Sequence, residues 1–145
     1  MTSEFTIAVH ALVFLHHNGG TCSSESLAQS ISTNPARIRK IMAKLKNARI
    51  VDTKEGNEGG YQYVDNPCEL SLYKVALALG FEFVSCGWKS GSKADECPIA
   101  SGMADIMDNI YSGLNRVCLE ELKGVTICEL DRDISNNSKI QNNDY

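Results

Sequence analysis

The sequence predicts a mainly α-helical fold with a small β-hairpin wing: a winged helix-turn-helix followed by a long C-terminal dimerisation helix. Three observations predict this class. Two short helical patterns, the second strongly basic, stand close together early in the chain. A β-prone hairpin pattern with a glycine-rich turn follows at once. Nearer the C-terminal end, apolar residues recur at almost heptad spacing along one long helical segment.

The helix-turn-helix is predicted from patterns in the first third of the chain. Residues 4–17 form an apolar helix that ends at "NGG", and residues 24–31 form a short second helix. For the third helix, Asn34 is the expected N-cap, and Pro35 takes the first position, where its missing N–H costs nothing. The inner face of this helix carries apolar residues at helical spacing: Ile38, Ile41, Met42, Leu45 and Ala48.

The wing is predicted immediately after the third helix. Residues 50–54 and 61–64 are β-prone and roughly alternating, and a turn rich in Gly and Asn joins them. A fourth helix is predicted at 71–83. Together, residues 1–83 are expected to form a winged helix-turn-helix domain that binds DNA.

Charge is distributed unevenly along the chain. The whole sequence has a net charge of −4, which by itself argues against a nucleic-acid partner. Residues 34–54, however, hold seven basic residues and one acid, whereas the rest of the chain holds seven basic and seventeen acidic residues. A basic block in an acidic protein is the electrostatic footprint of a nucleic-acid-binding surface. The alternative is a solvated helix face.

The third helix and the wing supply the candidate contacts to double-stranded DNA. Arg39 and Lys40, near the start of the helix, can reach base edges, and Lys44 suits a phosphate. In the wing, Lys54 and Asn57 can reach the backbone or the minor groove, although two glutamates in the wing tip oppose this. The candidate DNA-binding residues are Ser24, Asn34, Arg37, Arg39, Lys40, Lys44, Lys54 and Asn57.

A long helix is predicted from Pro98 to about Leu122, and residues 98–134 are expected to hold this dimerisation helix and a short C-terminal helix. The apolar stripe of the long helix consists of Ile99, Met103, Ile106, Ile110, Leu114 and Val117. The stripe is wider than a small winged domain should bury alone, so it predicts a homodimer, with plain core packing as the alternative. A two-fold dimer places two recognition helices on a palindromic operator.

The remaining segments predict the cellular compartment of the protein and which residues are disordered. No secretory signal and no run of eighteen apolar residues is found, so a cytoplasmic protein without a membrane span is expected. Its six cysteines are then expected to be reduced thiols, with Cys118 and Cys128 buried and inert. Residues 135–145 are polar and are predicted to be disordered. No catalytic motif indicates an enzyme.

Four stretches carry a family resemblance: "FTIAVHALVFL", "LAQSISTNPARIRKIMAKLKNARIV", the wing glycines of "EGNEGGYQYV", and "ECPIASGM". With them, the chain resembles the Rrf-type family of bacterial winged-helix transcription regulators, which includes IscR, NsrR and CymR. The resemblance covers nearly the whole chain up to Ile134. It implies a dimeric DNA-binding transcription factor, usually a repressor. It also implies a sensor of iron–sulfur clusters, nitric oxide, oxidants or metabolic state in the loop before the long helix.

The loop at residues 84–97 is therefore the predicted sensor, and it carries Cys86 and Cys97. A [2Fe–2S] cluster needs four ligands, and these two cysteines with His10 supply three candidates, so a cluster is disfavoured, as is zinc. The favoured hypothesis is a thiol switch centred on Cys97, which precedes Pro98 where the helix dipole favours a thiolate. Cys86 is the expected resolving thiol, within the loop or across the dimer, and Cys22 is a further candidate partner. A purely structural loop is the further alternative.

These patterns together predict a dimeric, sequence-specific DNA-binding regulator, most simply a repressor. Its DNA affinity is expected to respond to a small oxidant or electrophile that modifies Cys97. No cofactor and no metal site are expected. Two alternatives stay open: an iron–sulfur cluster-sensing regulator, and a dimeric adaptor that contacts other proteins.

Overall fold

The computed structural model describes residues 3–142, and in it the chain divides into two units. The first unit contains the chain up to Phe81 and again from Leu122 onward, and the second contains Glu82–Glu121. The predicted mainly α-helical fold with a two-stranded wing is confirmed. Within the described residues, no helix is both long and apolar enough to span a lipid bilayer.

The described residues form α-helices, one antiparallel hairpin and short 3-10 helices. The α-helices are α1 (Glu4–Asn18), α2 (Ser24–Ile31), α3 (Pro35–Asn47), α4 (Leu72–Leu79), α5 (Pro98–Glu121) and α6 (Ile127–Asn142). The strands are β1 (Val51–Lys54) and β2 (Gly60–Tyr63). The 3-10 helices are Pro67–Glu69, after the wing, and Leu122–Gly124, before α6.

The core of the first unit forms because several helices each present an apolar face to one another. Ala8, Ala11 and Leu12 of α1 are completely buried. In α3, the predicted inner face is confirmed at four positions, which are all buried: Ile38, Ile41, Met42 and Leu45. Ala48, predicted on the same face, is instead the exposed C-cap residue. Burial of this face leaves the basic side of α3 in solvent.

Side-chain caps determine where α2 and α3 begin. The Oγ atom of Ser23 accepts a hydrogen bond from the N–H of Ser26 at 3.1 Å. The Oδ1 atom of Asn34 accepts one from the N–H of Arg37 at 2.8 Å, and Pro35 takes the first helical position, as predicted. Each cap satisfies a backbone donor that the helix itself leaves unpaired. The caps thereby define the short turn of the helix-turn-helix.

The wing is a β1–β2 hairpin that is anchored to the connection between α1 and α2. Its register pairs Lys54 with Gly60. Next to this pair, Tyr61 and Cys22 exchange both backbone hydrogen bonds, at 2.8 and 3.0 Å. A Cβ atom on residue 60 would lie 2.4 Å from the carbonyl oxygen of Cys22, so this close approach requires glycine.

In the second unit, the predicted sensor loop lies against α5. Lys89 of the loop forms an ion pair with Asp108, and the Nζ atom of Lys93 lies 3.2 Å from a carboxylate oxygen of Asp105. Both acids belong to α5. These two contacts give the loop a defined position along the first half of the helix.

The end of the chain differs from the prediction of a disordered segment at 135–145. Helix α6 continues to Asn142, and residues 143–145 lie outside the described residues. The helix begins in a reciprocal capping box, in which Thr126 N–H donates to Glu129 Oε2 at 2.8 Å and Glu129 N–H donates to Thr126 Oγ1 at 3.3 Å. Once a helix has begun, each added residue gains a backbone hydrogen bond, so even a polar segment can extend it.

Helix α6 also belongs to the first unit, whereas the predicted division placed it with the long helix at 98–134. Ile127 is completely buried in the first unit's core. Backbone hydrogen bonds from Ile127 N–H to Leu70 O at 3.1 Å, and from Leu72 N–H to Val125 O at 2.8 Å, join the start of α6 to the start of α4. Helix α6 therefore packs on α1, because that surface offers it an apolar partner.

Candidate DNA interface and cysteine loop

The outward face of α3 carries the basic residues that were predicted to contact DNA. Arg37, Arg39, Lys40 and Lys44 are all exposed, and α3 itself contains no acidic residue. Helical periodicity produces this arrangement, because the apolar residues of α3 occupy the opposite, buried face. A row of positive charges on one helix face attracts phosphates and releases the counterions that surround DNA.

Arg39 is held against the start of α2. Its Nη1 atom donates to the Oγ atom of Ser24 at 3.2 Å and lies 3.5 Å from Glu25 Oε1. The structure thus brings two of the predicted contacts, Ser24 and Arg39, together at one point of the surface. None of the ion pairs within residues 3–142 involves Lys40, so its side chain can turn toward a ligand.

Arg37 and Lys44 contact the start of α1. The Nη2 atom of Arg37 donates to Ser3 Oγ, and Lys44 forms an ion pair with Glu4. Exposed ion pairs of this kind contribute only about 0–1 kcal/mol to stability. A DNA phosphate can therefore replace the carboxylate at little cost in free energy.

Asn34 occupies the N-terminus of α3, where its side-chain oxygen is already taken by the N–H of Arg37. Its structural task is therefore capping. Pro35 has no N–H, and the N–H of Ile38 donates to the backbone oxygen of Asn34 at 3.3 Å, so this helix end offers a phosphate fewer donors than an ordinary helix N-terminus.

The wing places Lys54 at the end of β1 and Asn57 in the tip, both exposed. Glu55 and Glu58 are exposed in the same tip, so the opposing charges that the sequence indicated are present. The Oγ1 atom of Thr21 donates to the backbone oxygen of Glu58 at 2.6 Å, which ties the far side of the tip to the connection between α1 and α2.

Cys97 is an exposed free thiol directly before α5. The backbone N–H groups of Ala100 and Ile99 hydrogen-bond to its sulfur and lower the pKa of the thiol. The N–H of Cys97 itself donates to Asp95 Oδ1 at 2.8 Å. The sulfur thus takes the place of a helix cap, and this position raises the fraction of reactive thiolate at neutral pH.

Cys86 lies elsewhere on the loop and is not bonded to Cys97, and both thiols are free. The Cys86 thiol donates to the backbone oxygen of Trp88 at 3.5 Å. Cys86 and Trp88 line a shallow cavity with Met103 and Met107 of α5, and Cys97 does not line it. The two loop cysteines therefore have different surroundings.

The stripe that was predicted to dimerise is exposed along α5. Its members are Ile99, Ile106, Ile110, Leu114 and Val117, which are between 48% and 70% exposed, and the half-buried Met103. Single exposed apolar residues are ordinary, but a row of large aliphatic side chains on one helix is a feature of interaction surfaces.

The loop does not fit an iron–sulfur cluster of the kind that the family resemblance raises. A [2Fe–2S] cluster takes four protein ligands, and the loop contains only two cysteines, Cys86 and Cys97. On α1, the Nε2 atom of His10 is hydrogen-bonded to Ser30 Oγ at 3.1 Å, and Thr6 offers only a hydroxyl. These residues supply too few ligands of the right type.

The sequence analysis missed a disulfide between Cys68 and Cys128, whose Cα atoms are 4.9 Å apart. The expectation that Cys128 is an inert reduced thiol is therefore wrong. The two residues are separated by 60 positions, so spacing alone gave no sign of the pair. One local signal was available: "NPCE" and "TICE" each place a cysteine two residues after a side chain that can cap a helix, Asn66 and Thr126.

Comparison with known proteins identifies the family. The Rrf2 family, described as iron-dependent transcriptional regulators, matches residues 1–133. YwnA of Bacillus subtilis (strain 168), named as an HTH-type transcriptional regulator, is 27% identical over 124 residues, which are 84% of this chain and 90% of YwnA. A transcriptional regulator from Lactobacillus plantarum superposes with a TM-score of 0.75 at 25% identity, over 99% of this chain and 97% of that one.

T. potens IscR superposes with a TM-score of 0.66 over 92% of this chain and 87% of that one, and at 18% identity this likeness shows the fold alone. The family and the named relative are transcriptional regulators rather than enzymes, which confirms the class predicted from the sequence. The chain belongs to the Rrf2 family of transcriptional regulators.

Proposed function

We propose that this chain is a sequence-specific DNA-binding repressor that acts as a homodimer and responds to thiol modification. The observation that carries the proposal is the exposed basic face of α3, which stands directly beside the wing and opposite a fully buried apolar face. In a winged helix-turn-helix, a helix of this kind enters the major groove while the wing meets the flanking backbone.

The contacts divide between base edges and phosphates. Arg39 and Lys40 lie in the N-terminal half of α3, where a recognition helix meets bases, and Ser24 fixes the direction of Arg39. Arg37 and Lys44 exchange their present partners on α1 for phosphates. Lys54 and Asn57 extend the same surface along the wing and complete the backbone contacts.

Dimerisation through α5 gives this surface its symmetry. The exposed aliphatic stripe is the same on both copies, so a two-fold interface buries it against itself. The two copies of α3 then contact half-sites whose centres are about 34–36 Å apart, or a multiple of that distance. This spacing is one turn of B-DNA. A dimer that occupies a palindromic operator in this way excludes the transcription machinery.

The switch is centred on Cys97. A hydroperoxide oxidises the thiolate: the sulfur forms a bond to oxygen, the O–O bond breaks, and hydroxide or alkoxide leaves. The thiol of Cys86 can then attack the sulfenic acid, and water leaves as the disulfide forms. Either product replaces the negative thiolate, which is the strongest acceptor for the N–H groups at the start of α5, by a neutral group. The start of the dimer helix then changes, and with it the distance between the two recognition helices.

DNA binding is tested with duplexes that the wild-type chain selects from a random pool. Arg39→Ala is expected to weaken binding about 5- to 150-fold and to relax specificity at one base position. Lys74→Ala is the matched control, because Lys74 is an exposed cation on α4 that is not among the proposed DNA contacts. Affinity should also fall steeply with salt. If no duplex is enriched and no salt-dependent binding occurs, the chain acts as a protein adaptor instead.

The thiol switch has its own test on the same duplex. Oxidant is expected to weaken operator binding by the wild type and by Cys118→Ser, and to leave Cys97→Ser unaffected. Equal loss of binding in Cys97→Ser would place the sensor elsewhere and leave the DNA-binding proposal intact.

A further inference from the structure

Three potential metal ligands from distant parts of the chain meet in the first unit. His16 lies in the last turn of α1, Cys68 in the 3-10 helix after the wing, and Cys128 in the first turn of α6. One side-chain nitrogen or sulfur atom of each residue lies within 4.8 Å of the other two. Two sulfurs and one imidazole nitrogen are a donor set that zinc and related divalent ions prefer.

A buried carboxylate orients His16. Asp131 is only 8% exposed, and its oxygens accept hydrogen bonds from His16 Nδ1 at 2.6 Å and from His17 Nδ1 at 2.9 Å. In the neutral tautomer that donates Nδ1–H to this carboxylate, His16 has its lone pair on Nε2, which lies 3.4 Å from the sulfur of Cys128. Carboxylate–imidazole pairs hold metal-binding histidines in the ligating tautomer, so Asp131 is a positioning residue for this site.

The backbone holds the two cysteines together independently of the bond between their sulfurs. Ser71 and Thr126 form an isolated antiparallel bridge between the segments that carry Cys68 and Cys128. The carboxamide of Asn66 also accepts the N–H of Cys68 at 3.0 Å, which fixes the 3-10 turn. The cysteines therefore remain neighbours when the disulfide is reduced.

We propose that the reduced protein binds one zinc-class divalent ion through Cys68, Cys128 and His16, and that the disulfide is the metal-free, oxidised form of the same site. Tetrahedral zinc, with bonds of about 2.3 Å to sulfur and about 2.0 Å to nitrogen, separates a sulfur from a nitrogen by about 3.5 Å and two sulfurs by about 3.8 Å. The distance between Cys128 and His16 already has this size. The two sulfurs have to separate, the sulfur of Cys68 has to take up the same spacing from His16, and water fills the fourth position beside the exposed Cys68.

The two forms interconvert by balanced chemistry. A dithiol reductant transfers two electrons and two protons to the Cys68–Cys128 bond, becomes a disulfide itself, and leaves two thiols in the protein. The metal ion then displaces both thiol protons to solvent as two sulfur–metal bonds form, and His16 contributes its lone pair. The site cannot hold the metal and the disulfide at the same time. The metal, unlike the disulfide, joins the end of α1 to the segment after the wing.

Anaerobic titration of the phosphine-reduced, full-length chain with Co²⁺ tests the site. We expect thiolate-to-cobalt charge-transfer absorption in the near ultraviolet and the visible bands of tetrahedral cobalt. Both should saturate at one ion per chain. Added Zn²⁺ should abolish both. The unreduced chain should give neither. A reduced wild type without these bands would overturn the proposal.

Variants assign the ligands. Cys68→Ser is the first choice because Cys68 is exposed and its loss should not disturb the core; circular dichroism verifies folding. This variant and His16→Gln are each expected to weaken Co²⁺ binding at least 10-fold, and Cys68→Ser should also lose charge-transfer intensity. Cys86→Ser and Cys97→Ser are matched controls that should bind like the wild type. Bands that survive in Cys68→Ser and vanish in Cys97→Ser would place the ion in the loop and refute the site.

Asp131→Asn separates positioning from ligation. It leaves both thiolates in place, so the absorption maxima should stay where they are while Co²⁺ affinity falls about 10- to 100-fold. Unchanged affinity would remove Asp131 from the site. None of these measurements involves DNA, so their outcome is independent of the proposed regulatory function.

Discussion

Gly91 of the sensor loop lies directly against Ala100 of α5: a Cβ atom on residue 91 would stand 2.0 Å from the carbonyl oxygen of Ala100. The same carbonyl accepts the N–H of Ser92 at 2.9 Å. Gly91 also has a φ of +68°, a conformation that costs other residues free energy. One glycine thus allows the loop to approach the helix turn that hydrogen-bonds the Cys97 sulfur.

Gly91→Ala is therefore expected to lift the loop from α5. The amide of Ser92 should lose hydrogen-exchange protection, and the loop should become more sensitive to protease. Gly87→Ala is the control, because a Cβ at residue 87 meets no atom within 4 Å. Equal exchange of the Ser92 amide in the two variants would contradict the close approach.

The Cys97 thiol should stay reactive at lower pH than an ordinary thiol. Hydrogen bonds from the N–H groups of Ala100 and Ile99 lower its pKa in the folded state. Its alkylation rate should therefore remain high as the pH falls below the usual midpoint of about 8.5, and should decline only near the lowered pKa.

Mass spectrometry of single alkylation events at a series of pH values measures this midpoint. The same chain in denaturant is the internal control, because unfolding removes the capping N–H groups. The midpoint should rise on unfolding. Identical midpoints in the folded and unfolded chain would show that α5 does not activate the thiol.

Tyr63→Phe should lower the free energy of unfolding by about 1 kcal/mol. The hydroxyl of Tyr63, at the end of β2, donates to the backbone oxygen of Leu12 and so joins the wing to α1, and burial raises the pKa of this hydroxyl. Its removal loses one partly buried hydrogen bond without changing shape. Denaturant unfolding measures the effect, with Tyr61→Phe as control, since Tyr61 is joined to Cys22 through its backbone, which the substitution leaves intact. Equal stability losses would assign the effect to general packing.

The features that could be predicted depend on interactions between residues that are close in sequence. The cap at Asn34, the proline after it and the buried face of α3 each depend on residues within one helix turn, and all were anticipated. Cys97 at the head of α5 likewise follows from the proline beside it. Periodicity and capping depend on residues that are only a few positions apart, so the sequence alone is enough to predict them.

The features that were missed depend on contacts across long stretches of chain. Cys68 and Cys128 meet because α6 folds back onto α1 and onto the 3-10 helix Pro67–Glu69, and a polar helix such as α6 has too weak a pattern to predict its docking. His16 and Asp131 are similarly brought together from opposite ends of the chain. Residues that are ordinary in isolation form a site only when the fold is known.

The last prediction concerns the α5 stripe. Ile110→Glu places a charge in the middle of the exposed aliphatic row, where burial against a second copy would leave it without a partner. The variant should sediment as a monomer at concentrations where the wild type is a dimer, and it should bind a palindromic duplex far more weakly while keeping its helical content. Leu77→Glu is the matched control, because Leu77 is an equally exposed aliphatic residue on α4. A wild-type monomer would contradict the homodimer itself. A dimer that survives Ile110→Glu and dissociates in Leu77→Glu would move the interface from α5 to the winged domain.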